Sequence, residues 1–450
     1  MQQAPRAMKK NKQIIGRGSP NRDKDGRKDG AIWRVNSFFS GIGGFDIGFG
    51  NSGFTTTFLC EIKPFCQEVL KTHWPNVPMV ADIGKIDSNT IPEAEVWCGG
   101  FPCQDISVAR GALGRKGLGG TRSGLFYQYA NLIAEKKPTV VVIENVEGLF
   151  NSNKGRDFGV ILQRLTKLGY AVSWRLFNSR YFGVPQSRAR VYICCWRDSV
   201  AHSMRVMFEP RRTPKPKNER TDFITESNPP GVFPKVPTVA YCLAATSGRH
   251  TGTDWSRTYV SCADGVRRMT PREYERLQGF PDLWTIPVGC DVDNEDVDTL
   301  RYTALGNAVS VPVVKWVAQR IKGELQSADA VLDLREVAAL VPELNDKSLD
   351  IDLNTIDFTD ESIHVSWPKS GIAWNGRYVG GNIPPSPANS IATSLYNIVE
   401  KHKVSSRYYL SQNACTGILR RVDGQGRKLF PPLRQALEKE AGKTSKGVRK

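Results

Sequence analysis

The segment Gly99-Gly100-Phe101-Pro102-Cys103-Gln104 sets a thiol directly behind a proline. Pro102 fixes its own φ and restricts Phe101, so a side chain at position 103 is presented from a stiff turn. Only about 3% of an ordinary thiol is ionised at neutral pH, so a fast nucleophile needs surroundings that lower its pKa. The stretch that follows, 105–122, is rich in glycine and carries four Arg or Lys residues. That is the composition of a loop able to close on a phosphate-bearing substrate. A lone Pro-Cys would read as a core thiol; the loop behind Cys103 favours a reactive one. Forty residues on, Val140-Val-Val-Ile143 runs into Glu144. A carboxylate at the mouth of an apolar strand is partly desolvated, which raises its pKa and lets it hold or donate a proton to a ring nitrogen. An acid at a helix start would look the same. Arg188 and Arg190, in Gln186-Ser-Arg-Ala-Arg190, stand two apart and so share one face of a strand, where surface ion pairs are the plainer explanation.

A second group of residues has the pattern of a nucleoside site. Phe39-Ser-Gly41-Ile-Gly43-Gly44 follows a strand-like run, and its glycines would let the backbone approach a ligand and turn into a helix. Asp46 stands where a full G-x-G-x-x-G would place its last glycine. Glu61 comes twenty residues after Gly41, the spacing at which an acid reaches ribose hydroxyls. Asp82 follows the next apolar run. Each acid alone reads as a solvated loop charge; glycine turn and acids together favour an adenosine-containing cofactor.

The elements that must position these residues alternate. Strands are expected at Trp33–Phe39, Val96–Cys98, Val140–Ile143 and Val172–Phe177, and helices at Phe65–His73, Leu125–Glu135 and Phe158–Leu168. Such alternation predicts an α/β fold, a doubly wound, mostly parallel sheet with helices on both faces and ligands beyond the C-terminal strand ends.

Composition narrows the function class. The chain has 450 residues and a formal net charge of +17. No run of apolar residues is long enough to span a bilayer, and the first thirty residues lack the apolar stretch of a secretory signal. Residues 1–30 carry +6 and 401–450 carry +10, whereas the acidic stretch 326–366 carries −8 and leaves +8 on 31–325. The first thirty residues are too polar to build a core and read as a basic tail; the break near 325 reads as a domain boundary. None of the ten cysteines forms a Cys-x-x-Cys, so neither a zinc site nor a disulfide framework is expected.

These motifs, in this order, resemble those of DNA cytosine-5 methyltransferases: Phe-Ser-Gly-Ile-Gly-Gly-Phe, Gly-Phe-Pro-Cys-Gln, Glu-Asn-Val and Gln-Ser-Arg-Ala-Arg, then Arg268–Pro281 and Leu305-Gly-Asn307-Ala-Val309. The resemblance covers about 31–322. It implies the S-adenosylmethionine-dependent methyltransferase fold with a small target-recognition region at 197–266, and 267–325 returning to the catalytic domain begun at 31–196. It implies that Phe39, Gly41, Gly43, Glu61, Asp82 and Asn307 hold S-adenosylmethionine. Cys103 would attack C6 of a flipped cytosine, Glu144 would protonate N3, Arg190 would contact the O2 side, and Arg188 would support them through phosphate or Glu144. Gln104, Ser107 and Arg122 would contact DNA from the closing loop, and Arg249, His250 and Trp255 from the recognition region. Cys242-Leu243 stands where members often have Thr-Leu.

The implied partner is double-stranded DNA, bound by a monomer in the cytoplasm, nucleoid-associated and away from membranes. A cognate restriction endonuclease would be a functional partner. The ends would add sequence-independent, salt-sensitive affinity. Residues 326–450 lie beyond the resemblance; helices are expected at Ser411–Arg421 and Pro431–Glu440, as a DNA-binding appendage or a hairpin on its own core. The rivals are a tRNA cytosine-5 methyltransferase, whose Cys-Phe-Thr triplet is missing, and an inactive DNA-binding regulator on the same fold. Asn228-Pro-Pro-Gly231 lacks the aromatic of amino-methylating enzymes, and the H-x-E and P-C-x-x-C of a zinc deaminase do not occur.

Overall fold

The computed structural model describes residues 32–102, 124–209, 222–228, 231–246, 256–291, 295–345 and 349–442. Its frame is a ten-stranded sheet. The first half is built from β1 (Trp33–Phe38), β2 (Phe54–Cys60), β3 (Met79–Val80), β4 (Val96–Gly99) and β5 (Val140–Val146), all parallel, in the order β5-β4-β1-β2-β3. Helices α1 (Gly44–Gly50), α2 (Pro64–His73) and α3 (Leu125–Lys136) cross between them. In β5 the side chains alternate: Val140 and Val142 enter the core on one face of the sheet, Val141 and Ile143 the core on the other. Both faces are covered, which is why the strand reads as an unbroken apolar run. The chain order reverses between β1 and β4, so the ends of these two strands border a crevice.

The second half is antiparallel. After α4 (Arg156–Lys167), β6 (Tyr170–Asn178) returns through β7 (Ala189–Arg197), and β7 inserts between β5 and β6, antiparallel to both. Only residues 179–188 join the two strands, too few for a helical crossover, so the connection must be a hairpin.

Two expected boundaries move. The opening of the 197–266 span belongs to the sheet domain: α5 (Val200–Met207) buries Val206 and Met207 in its core, and the Ser203 hydroxyl donates to the Cys194 carbonyl at 3.0 Å. In the remainder, β8 (Tyr259–Cys262) and β9 (Gly265–Arg268) form a separate two-stranded hairpin, followed by α6 (Pro271–Gln278), α7 (Glu295–Asn307) and α8 (Val311–Leu325). The break at 325 coincides with the end of α8, yet the acidic stretch is no separate domain. Beyond α9 (Leu334–Leu340), strands β10 (Leu344–Asn345), β11 (Ser370–Trp374) and β12 (Arg377–Gly381) extend the same sheet, β11 pairing with β6. The tie is apolar as well: Phe358, Trp367 and Tyr378 share a core with Phe158 and Trp174. The charged side chains of this stretch lie outside that core, which is what misled the composition argument. Among the described residues no helix is long and apolar enough to cross a membrane.

At the end, α10 (Gln412–Gly424) and α11 (Pro431–Glu440) form the two expected helices, and the Ser411 hydroxyl accepts from the Ala414 N–H at 3.3 Å as an N-cap. They do not form a hairpin on a core of their own. Their shared core includes Tyr259 and Val266, so they pack on β8–β9 rather than on each other alone.

Phe358 tests whether 326–391 belongs to the sheet domain. Its ring is 2% exposed and fills the space a Cβ on Gly159 would need. Phe358→Ala is expected to cost about 3–5 kcal/mol in urea denaturation while leaving one cooperative transition. A separate early transition would mean that this stretch folds as its own unit.

Candidate active site

A cleft of about 440 Å³ opens where the strand order reverses. Four segments supply its walls: the turn after β1 (Phe39, Gly41), the end of β2 with the loop beyond β3 (Glu61, Ile62, Asp82, Ile83), the turn after β4 (Gly100, Phe101, Pro102) and the end of β5 with the start of β7 (Glu144, Asn145, Arg188, Arg190). Gly306 and Asn307 close it. Its size suits a nucleoside-sized ligand.

At the cofactor end, Glu61 organises the glycine turn. One carboxylate oxygen accepts from the Gly41 N–H at 2.7 Å, and the other from the Lys63 N–H at 2.8 Å at the mouth of α2. Gly41 has φ +57° and nothing within 4 Å of where a Cβ would stand, so its backbone faces open space in the cleft. Phe39 also has a positive φ, 53°, and its half-buried ring meets Tyr129 edge-on. The Asp82 carboxylate accepts from the Gly84 N–H at 2.9 Å and lines the cleft, as does the exposed Asn307. Gly43, expected among the cofactor residues, is not a lining residue: it starts α1, and a Cβ there would stand 2.4 Å from the Trp74 ring. Packing against Trp74 and a left-handed φ of +82° both call for glycine there. Sequence reasoning passed over Ile62, an aliphatic side chain 67% exposed beside Glu61. Its signal is an apolar residue left in water at the edge of a cleft, which exists only once the fold is known.

At the other end stands Glu144, nine-tenths buried near the end of β5. Burial pushes its carboxyl above the ordinary value of 4.5, against the pull of Arg190 and then Arg188. The Arg190 Nε lies 3.2 Å from Oε1, yet that oxygen has no hydrogen bond of proper geometry. An acceptor so placed is available to a ligand. The Asn145 amide donates to the Phe101 carbonyl at 3.0 Å and so ties down the turn that leads into position 103. Cys103, Gln104, Ser107, Arg122, Arg249, His250 and Trp255 lie outside the described residues.

Arg188 departs from its expected role. It is 1% exposed and so has no route to a phosphate. Nη1 donates to the Leu243 carbonyl at 3.0 Å, and Nη2 to the carbonyls of Gly306 and Ala308 at 3.0 and 2.8 Å. Its influence on Glu144 is electrostatic, with three backbone carbonyls as its hydrogen-bond acceptors. It is a positioning residue, holding two distant segments against the start of β7. Gln186 works beside it: its side chain accepts from the Leu243 N–H and donates to the Leu277 carbonyl, both at 3.0 Å. Cys242 carries its exposed thiol at the same place, 3.6 Å from Nη1 of Arg188 and 3.9 Å from Nη2 of Arg190. Among the described cysteines, six are buried, and burial pushes Cys60 and Cys66 up to about 12, so those thiols stay protonated.

A doubly wound sheet with a glycine turn, two acids at successive strand ends and a cleft at the order reversal defines an S-adenosylmethionine-dependent methyltransferase. The model of the C-5 cytosine-specific DNA methylase family matches residues 33–230 and 234–323, and the chain belongs to that family. It is 32% identical over 323 residues to the Type II methyltransferase M.SsoII of Shigella sonnei, covering 66% of this chain and 81% of the relative. It is 29% identical over 359 residues to M2.BsuMI of Bacillus subtilis, covering 74% and 87%. With M1.ScrFI of Lactococcus lactis the figures are 32% over 333 residues, 66% and 80%. The protein is therefore a DNA (cytosine-5-)-methyltransferase that uses S-adenosylmethionine.

The strut role of Arg188 has a measurable consequence. Arg188→Lys keeps the charge but replaces a planar fork with a single ammonium, which cannot span three carbonyls on two segments. It is expected to lose about 2–4 kcal/mol of stability in urea denaturation. Arg190→Lys should lose under about 1 kcal/mol, because that side chain is partly solvated. Equal losses would remove the distinction drawn between the two arginines.

Proposed function

We propose that this enzyme methylates C5 of cytosine within a specific double-stranded DNA sequence, through a covalent bond between Cys103 and C6 of a flipped-out base. In the cell the mark would protect DNA from a restriction endonuclease, in line with the Type II names of its relatives. The observation that carries the reading is the meeting, in one cleft, of a Glu144 oxygen that lacks a hydrogen bond, the Arg190 guanidinium ion-paired with it and the fixed Phe101–Pro102 turn that leads into the thiol.

Cytosine C6 is not an electrophile until charge leaves the ring through N3. Burial raises the Glu144 carboxyl above its ordinary value and so favours its protonated form, which hydrogen-bonds N3 and delivers that proton as the Cys103 thiolate adds to C6. The electron pair of the C5–C6 double bond moves towards N3 and leaves C5 nucleophilic. Arg190 faces the O2 side and stabilises the charge that builds there. The Gly41 turn, Glu61, Asp82 and Asn307 would hold S-adenosylmethionine, which would supply a methyl group to C5 and leave as the neutral thioether S-adenosylhomocysteine. Loss of the C5 proton to solvent and expulsion of the thiolate then restore the double bond, and N3 returns its proton to Glu144. In a stacked duplex none of these groups could reach C6, so the base must leave the helix.

Methyl transfer from tritiated S-adenosylmethionine to duplex DNA tests the reading. Wild type should label cytosine C5, Cys103→Ser should give no turnover, and Glu144→Gln should be slower by about 10²–10⁴. Absence of label with wild type on duplex DNA of mixed sequence overturns it. Bisulfite sequencing of a host expressing the chain would locate the methylated site.

The Glu144 proton also has a stability signature. Its folded-state pKa is raised, so above pH 4.5 the folded chain still holds a proton that the unfolded chain has released. The carboxyl thus makes stability fall as pH rises through that window. Glu144→Gln should lessen the fall and be at least as stable as wild type at pH 7, in urea titrations from pH 4.5 to 7. A variant less stable than wild type at pH 7 would mean that the carboxylate is held ionised.

A further inference from the structure

The matched family region ends at residue 323, but the recognition hairpin β8–β9 is not complete without residues almost a hundred positions later. Val260 of β8 packs into the core that holds Leu277, Tyr302 and Leu305. Tyr259 and Val266 face the other way, into a core made with Cys415, Ile418, Leu419 and Val422 of α10 and Leu433 and Leu437 of α11. The β-hairpin is therefore a middle layer, and α10–α11 form its outer layer. The chain between is strapped down: the Leu410 N–H donates to the Val266 carbonyl at 2.8 Å, and the Glu400 N–H donates to the buried Glu273 carboxylate at 2.7 Å.

The end of this helical hairpin that carries its turn lies against the segment that leads into Cys242. Leu429 and Phe430, directly after the turn, line a small cleft together with Tyr241 and Arg257. Tyr241 precedes Cys242, whose thiol stands beside Arg188 and Arg190. The turn itself, Gly424-Gln-Gly-Arg-Lys428, is exposed throughout, and Gly426 takes the left-handed φ of +59° that such a reversal needs. Arg420, one helical turn before the end of α10, is exposed too, as is Lys428. Within α10 and the turn, the one acid is Asp423, paired with Arg434 at 2.8 Å, so this end of the hairpin carries net positive charge.

We infer that the turn end of α10–α11, with Arg420 and Lys428, binds the phosphate backbone of duplex DNA beside the target base. The recognition module is then made from two chain segments, of which the second lies outside the matched family region. The inference rests on the methylation reading for where the target base sits, but its test does not depend on turnover.

The test uses the full chain and two duplexes of equal length and unrelated sequence, one of which carries the methylated cytosine site wherever bisulfite sequencing has located it. Binding is measured by fluorescence anisotropy from 50 to 200 mM salt. Removing two phosphate contacts with Arg420→Gln/Lys428→Gln should flatten the slope of log affinity against log salt by about 1.8, so the variant loses about tenfold less affinity over that range than wild type. Both duplexes should show the change, with their affinity ratio kept. Arg420→Lys/Lys428→Arg should restore the wild-type slope. An unchanged slope in the Gln variant overturns the inference, and so does an equal flattening in the charge-preserving variant. If wild type binds with the expected slopes but transfers no methyl group, the methylation reading fails and the DNA contact stands.

Discussion

One guanidinium with almost no access to water determines how the two halves of this enzyme meet. The planar fork of Arg188 hydrogen-bonds the carbonyls of Leu243, Gly306 and Ala308, which belong to the recognition segment and to the end of α7 and the turn after it. A buried charge is costly where its donors lack partners, and with Nε already without one among the described residues, drift of the carbonyls that hold the two Nη groups would add to that desolvation penalty. Close packing follows from the same constraint. Gly306 has no room for a side chain, because a Cβ there would lie 2.3 Å from the Ala245 nitrogen. The segment around Leu243 and Ala245 thus lies directly against the residues that close the cleft, and Asn307 is placed at its rim.

The catalytic electrostatics depend on that strut. Arg188 and Arg190 both pull the Glu144 carboxyl down, while burial pushes it up more strongly. Two cations without burial would leave an ordinary carboxylate with no proton to give. Burial without the cations would leave a neutral acid with nothing to stabilise its anion after transfer. The structure has both, and Arg188 faces Glu144 as a charge while its two Nη groups hydrogen-bond carbonyls elsewhere. A side chain expected to act at a phosphate or on Glu144 directly is better placed here, since a hydrogen bond to the carboxylate would hold it ionised.

Much of this was legible in the residues, and the reasons for the failures differ. The strands and helices of 31–200 stand within a few residues of where periodicity put them, because buried parallel strands and amphipathic helices carry their patterns locally. Glu144 could be singled out because a charged residue ending an apolar run is unusual anywhere. Strands β11 and β12 could not be found. Ser370-Gly-Ile-Ala-Trp and Arg377-Tyr-Val-Gly-Gly381 contain three glycines, which propensity reads as loop. Gly371 is glycine because the Trp174 ring lies 2.3 Å from where its Cβ would be, a contact nearly two hundred residues away in sequence. The same blindness explains Gly43 and Gly41, neighbours in one motif. One makes room for Trp74 and the other opens to the cleft, and nothing in their spacing separates the two reasons. The burial of Arg188 was equally hidden, since its acceptors are backbone atoms of any residue type.

The position of charge follows from what each part has to do. The cleft is close to balanced: Glu61, Asp82 and Glu144 face Lys63, Arg188 and Arg190. A site that must move a single proton and hold a cationic cofactor gains nothing from a large positive field, which would drive Glu144 to ionise. Attraction to a polyanion has to be supplied elsewhere, and most of the +17 is in the two ends of the chain. The acidic stretch 326–366 fits the same division, for it packs against α4 and β6, on the side of the sheet opposite β3 and the cofactor acids. Long-range attraction and local proton control are opposing demands on one field, and distance within the fold is what lets both be met.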